Sequence, residues 1–207
     1  FYKPTFNFSL KFSNKVRFFF KKLLPSILSS GVTQINILVG TIIASFQSGA
    51  VSYLYYADRI YQINLAIAGI AVGTVSLPVL SRAFKMNNVK KISNIQNKSF
   101  ELSLLFSIPA SLGLILASDE IVTALFGYGS FSANDVEMTA VALKFFGFGV
   151  PAFALIKILS NFFFARDNTK TPFYISTLIV LLNILISVSF FNKIGFVIIP
   201  LATSITC

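Results

Sequence analysis

The chain has 207 residues, 55% hydrophobic and only 12% charged, with a mean hydropathy of +0.79 and a formal net charge of +10. A water-soluble domain carries about 25% charged residues, so this balance excludes an ordinary soluble globule and points to an all-α polytopic membrane protein. Histidine is absent and the one cysteine is Cys207, which excludes Cys/His metal sites, intrachain disulfides and Ser–His or Cys–His catalytic pairs; no metal and no cofactor is expected.

Residues 1–22 contain Lys3, Lys11, Lys15, Arg17, Lys21 and Lys22 and no acid, with phenylalanines interleaved. This reads either as an interfacial amphipathic segment or as a basic loop. Apolar runs of about 20 residues match the hydrocarbon thickness of a bilayer, and they predict six spans, at about 24–46, 51–84, 98–117, 136–164, 171–191 and 194–207. The first span carries Gln34 and Asn36 beside a recurring set of small and hydroxyl residues. That pattern suits close helix packing or the wall of a hydrated cavity. The second span is longer than the hydrocarbon core, at about 1.5 Å per residue, and must tilt or bend; Gly69, Gly73 and Pro78 are the candidate points. Gly147, Gly149 and Pro151 predict a kink in the fourth span. Before it, Ser132 precedes Asp135 by three residues, as in a helix-capping arrangement. The chain starts at Phe1 and stops within the apolar run FVIIPLATSITC, which reads as a piece of a longer protein.

The cations are bunched. Of 17 Lys and Arg, 13 fall in residues 1–22, 82–98 and 166–170, the loops on one side of a six-span arrangement. The positive-inside rule makes that side, with residues 1–22, cytoplasmic. Flanking cations of this kind meet anionic membrane lipid, which accounts for the net charge without a nucleic-acid partner.

Asp58 and Arg59 break this pattern, since both lie inside an apolar span. A charge at such a depth costs at least about 2.5–3.5 kcal/mol and marks a functional site by default. Neighbours on a helix lie three or four residues apart, so Ser52, Tyr55, Tyr56, Arg59 and Gln62 form one polar stripe. Asp58 sits about 100° round the helix. Arg59 is expected to point into a cavity, and Asp58 to bond another helix or the backbone. A guanidinium offers a flat fork of donors that fits a diphosphate bidentately. The alternative is that the pair sits near the outer end of the span and snorkels to the interface. Snorkelling also accounts for Lys144 and Lys157, with cavity lining as the other reading.

The runs QIN (34–36), ASF (44–46), SGAVSYLYYADRIYQ (48–62), LPVLSRAF (77–84), LFGYGSF (125–131) with Asp135 and Thr139, and ARDNTKTP (165–172) closely resemble the MurJ (MviN) lipid II flippase family. The resemblance covers about residues 23–207 and corresponds to the first part of the C-terminal lobe. It implies most of one lobe of a two-lobed, fourteen-helix flippase of the multidrug/oligosaccharidyl-lipid/polysaccharide exporter superfamily, with the sixth span here truncated. The implied substrate is the undecaprenyl-diphosphate-linked disaccharide-peptide, lipid II. It is moved across the cytoplasmic (inner) membrane through a cationic central cavity by alternating access, together with the missing N-terminal lobe. By the same resemblance Arg59 is a cavity residue, Ser52 faces the cavity from the same helix, and Asp58 matches the family's acidic neighbour. Tyr55 and Gln62 join them as candidate substrate-binding residues, with Gln34, Asn36 and Lys157 as possible cavity residues. Two features depart from the family. Asn64 stands at or near a common proline, and the fifth span carries Asn183 and small hydroxyls but no acid.

Two other function classes compete. A drug or cation antiporter of the same superfamily needs a titratable acid within the spans, and Asp58 is the one candidate. A membrane enzyme on the same lipid needs a catalytic base or metal-binding acids, yet six of the seven acids lie at span ends or in loops. No catalytic residue is therefore expected.

Overall fold

The computed structural model describes Val16, residues 31–32 and residues 34–207. The basic segment expected at 1–22, Val16 apart, and the beginning of the first span lie outside the described residues. The chain is an all-α polytopic membrane protein, and no strand occurs among the described residues. Its helices are α1 (Gln34–Ala44), α2 (Ala50–Leu65), α3 (Val72–Lys85), α4 (Val89–Leu116), α5 (Ser118–Phe126), α6 (Ala133–Ala165), α7 (Lys170–Ile194) and α8 (Ile198–Ile205). Four helical stretches are long and apolar enough to cross a membrane: Ala50–Lys85, Val89–Leu116, Ala133–Ala165 and Lys170–Ile205.

The first of these is α2 and α3 joined without a break through a π-helical segment, Ala66–Ala71. Among the three candidate bending points, Gly69 is the one inside this irregular turn. Asn64 stays within regular helix, its amide 3.5 Å from the Ile60 carbonyl. The last stretch is not one rod. Gly195 takes φ +74, and a 3-10 turn, Gly195–Val197, follows it. Asn183 on α7 then donates to Thr203 Oγ1 on α8 at 3.0 Å. Twenty residues of straight helix would hold those two groups about 30 Å apart, so α8 folds back along α7.

α6 lies at the centre. Half of its apolar window is buried, against 11% for the stretch that begins with α7, and α2, α3, α4, α5 and α8 all pack on it. Lipid tails are as apolar as leucine, so helices in a bilayer associate through small residues and buried hydrogen bonds. The α4 face turned to the interior is a run of buried serines, Ser99, Ser103, Ser107 and Ser111, at every fourth position. Gly147 on α6 sits against Leu114 and Ile115 of α4, where an added Cβ would stand 3.1 Å from Leu114 Cβ.

The kink expected at Pro151 is handled without breaking the helix, because α6 runs unbroken from Ala133 to Ala165. Proline has no N–H, so Pro151 leaves the carbonyl four residues back, on Gly147, without its helical donor. Ser111 Oγ supplies the missing hydrogen from α4 at 2.7 Å. A second hydroxyl, Ser204 Oγ on α8, donates to the Phe145 carbonyl at 2.7 Å. These two bonds fasten α4 and α8 to the middle of α6.

Candidate functional site

α2 is an amphipathic helix whose small residues face the protein. Ala57 and Ile60 are buried in the core, and Tyr61 stacks on Phe146 of α6 with ring centroids 4.9 Å apart. The opposite side carries the stripe read from the sequence. Ser52, Tyr55 and Arg59 are exposed there, Tyr55 to 55%. The Arg59 guanidinium lies over the Tyr55 ring, 4.9 Å from its centroid. Such a contact contributes about 0.5–1 kcal/mol at an exposed site and about 2 when desolvated. It occupies a face of the cation and leaves the N–H fork at its edge. No ion pair or hydrogen bond to Arg59 occurs among the described residues, so that fork is open to a ligand.

Asp58 behaves differently from its expectation. It bonds neither another helix nor the backbone; its Oδ2 accepts from Gln62 Nε2, one turn along the same helix. Positions i and i+4 on a helix meet as readily as groups on two helices, and Gln62 lies nearer Asp58 than the stripe suggested. Asp58 and Gln62 therefore form a half-buried pair beside Arg59. The structure brings Ser52, Tyr55, Asp58, Arg59 and Gln62 together within three turns of α2.

Of the three possible cavity residues, Lys157 lies apart from this group. Gln34 is exposed on α1 and Asn36 half-buried, with Asn36 Oδ1 buried and without a hydrogen-bond donor. Lys157 is exposed on α6, where its Cβ lies 3.5 Å from the position of a Cβ on Gly69. That is ten residues beyond Arg59 along the α2–α3 run, or about 15 Å. Lys144 is likewise exposed on α6.

Two tyrosines have more specific surroundings than the sequence suggested. Tyr56 turns from the stripe toward the corner between α5 and α6, against Phe126 at 4.7 Å and Phe131 at 5.3 Å. Tyr53 donates its hydroxyl hydrogen to Asp135 Oδ1 at 3.0 Å. The Ser132–Asp135 arrangement is a complete capping box. The aromatic spacing of LFGYGSF was the available signal for Tyr56. Nothing local signalled the bond of Tyr53, whose partner is 82 residues away.

Comparison with known proteins adds to this geometry. The family model described as Lipid II flippase MurJ matches residues 2–207. The chain belongs to the lipid II flippase MurJ family. It is 41% identical over 181 residues to the probable lipid II flippase MurJ of Rhizobium tropici, covering 87% of this chain and 34% of that protein. A solved MurJ structure in an inward closed conformation superposes with a TM-score of 0.81 at 32% identity, over 95% of this chain and 42% of that one. The chain thus spans about a third of the length of the curated MurJ relatives it matches. An outward-facing MATE multidrug resistance transporter superposes with a TM-score of 0.75 at 19% identity, over 88% of this chain and 40% of that one, a likeness of fold alone.

Proposed function

We propose that this chain is part of a flippase for the lipid-linked peptidoglycan precursor, lipid II, in the cytoplasmic (inner) membrane. Within it, Arg59 supplies a cation to the cavity that receives the diphosphate. The observation that carries this reading is the state of Arg59: a permanent charge in an apolar helix, stacked on Tyr55 and without a carboxylate partner among the described residues. A guanidinium in an apolar span with no salt-bridged carboxylate is suited to an anion from outside the protein. A diphosphate satisfies a guanidinium fork through two parallel hydrogen bonds. Ser52 and Tyr55 add a hydroxyl each to the same face. Asp58 neighbours the guanidinium, but its Oδ2 accepts from Gln62 and no salt bridge ties it to the fork.

Transport needs no covalent step. The diphosphate is captured on the cationic side of the cavity, and a second lobe closing over α2 from one side and then the other gives alternating access. The cations of 82–98 and 166–170, by the positive-inside rule, put the C-terminal ends of α3 and α6 on the cytoplasmic side. The Ser52 end of α2 then lies toward the opposite leaflet. The partner lobe and the lipid are supplied by the longer protein and the membrane.

The antiporter reading has less to support it. It requires a free acid in the spans, and Asp58 is committed to Gln62, while Asn183 is committed to the hydroxyls of α8. The test is complementation of a flippase-depleted strain by the full-length protein. Arg59→Ala is expected to abolish growth and Arg59→Lys to retain little of it, because an ammonium cannot make the bidentate bond. Normal growth of the Ala variant at native expression rules the role out.

A further inference from the structure

The corner between α5 and α6 holds an aromatic cleft of about 330 Å³, lined by Tyr56, Phe126, Tyr128, Ser130 and Phe131. Its walls are set before any ligand arrives. The Tyr128 N–H donates to the Phe126 carbonyl at 2.7 Å, and the Phe131 N–H to the Tyr128 carbonyl at 3.4 Å. Gly129 sits at φ +67, a conformation a β-carbon disfavours. Downstream, the capping box and the Tyr53–Asp135 bond pin the loop to α2. Little ordering is then left to oppose binding.

The lining chooses among ligands. It contains no charged side chain, so a bare anion has no charged partner in it. It carries two phenols and a serine hydroxyl as well as two phenyl rings, so an acyl chain would match only the apolar part of the lining. A pyranose ring fits both sets. Its C–H faces stack on aromatic rings, whose faces carry negative charge, and its hydroxyls pair with Tyr128, Ser130 and Tyr56. The place of the cleft selects which sugar. Tyr56 precedes Arg59 by three residues on α2, so their Cβ atoms lie about 5–6 Å apart. Tyr55 bridges them, edge-on to Tyr56 at 5.8 Å and beneath the guanidinium at 4.9 Å.

The geometry points to this cleft as the subsite for the sugar ring bonded directly to the substrate's diphosphate. The inference rests on the flippase reading, in which Arg59 holds that diphosphate. Arg59 then binds a group common to every diphosphate lipid, and the cleft distinguishes glycosylated lipid from the bare carrier.

The test uses the full-length protein in nanodiscs and two ligands, undecaprenyl diphosphate and the same lipid bearing its disaccharide-peptide. Tyr128 is 72% exposed, so its replacement does not disturb the core. Tyr128→Ala is expected to weaken the glycosylated lipid roughly three- to tenfold and to leave undecaprenyl diphosphate unchanged, while Tyr128→Phe, which keeps the stacking ring and loses only its hydroxyl, weakens the glycosylated lipid less. Equal losses for both lipids in the Ala variant, or no loss for either, overturn the subsite. Arg59→Ala reports separately on the diphosphate: it weakens both lipids if that reading holds, and an unchanged affinity for both sinks that reading whatever the cleft does.

Discussion

Tyr53 and Asp135 meet across 3.0 Å, and the carboxylate between them serves two helices at once. Its Oδ1 accepts from Tyr53 in the first turn of α2. Its Oδ2 accepts the backbone N–H and the hydroxyl of Ser132, at 2.8 and 2.7 Å, and so closes the N-terminus of α6. A Cβ on Gly49 would collide with the Tyr53 hydroxyl, so glycine there leaves room for the ring. Tyr53 also packs on Phe196, whose N–H donates to Gln47 Oε1 at 2.9 Å. One small network thus joins the starts of α2 and α6 to the turn that precedes α8.

Tyr53→Phe and Asp135→Ala are each expected to lower the melting temperature of the purified protein, and Ser132→Ala to cost about 1 kcal/mol as a lost N-cap. Because Tyr53 and Asp135 share one bond, the double variant melts higher than the sum of the single losses predicts. Strict additivity in thermal unfolding contradicts the shared bond.

Ser111→Ala removes the donor that replaces the N–H missing at Pro151. An orphaned buried carbonyl costs about 1–3 kcal/mol, and polar contacts between membrane helices are worth about 0.6 on average, so a loss of about 1 kcal/mol is expected. Pro151→Ala restores the N–H within α6. In the Ser111→Ala background it should recover part of the lost stability, which a double-mutant cycle of unfolding midpoints reads directly. A second loss of similar size on adding Pro151→Ala contradicts the compensation.

Two glycine-to-alanine changes should have opposite signs. A Cβ on Gly69 would stand 3.1 Å from the Ala154 backbone of α6, a close approach that cannot give without moving a helix. Gly69→Ala is expected to cost about 1–3 kcal/mol by overpacking. Gly113 has open space on its outer side within α4, and Gly113→Ala should stabilise by about 0.5–1 kcal/mol through helix propensity. Unfolding midpoints that move the same way in both variants contradict the packing described for the π-helical segment.

Some of this arrangement is legible along the chain, because it depends on spacing alone. Apolar run lengths are enough to mark helices, and a charge inside such a run stands out at Arg59 without any partner being known. The capping box at Ser132 is local in the same way. Other features depend on which of several equal choices the packing selects. Asp58 had Gln62, other helices and the backbone within reach, and spacing alone does not choose Gln62 among them. Gly69, Gly73 and Pro78 were equal candidates for an irregular turn; contact with Ala154 coincides with the first. Pro151 suggested a kink because its missing hydrogen bond is visible in sequence, while the serine that replaces it lies 36 positions away. The aromatic cleft needed the fold of α5 against α2 before Tyr56 could be assigned to it.

The central claim is that the Arg59 guanidinium receives the diphosphate of the lipid-linked precursor. The most direct measurement is the fraction of precursor exposed at the outer leaflet in cells that depend on the full-length protein, read with a membrane-impermeant label. The account predicts that Arg59→Ala leaves the precursor at the inner leaflet, and that Arg59→Lys labels at roughly a tenth of the normal level or less. Outer-leaflet labelling by the Ala variant equal to that of the unaltered protein, at matched expression, contradicts it.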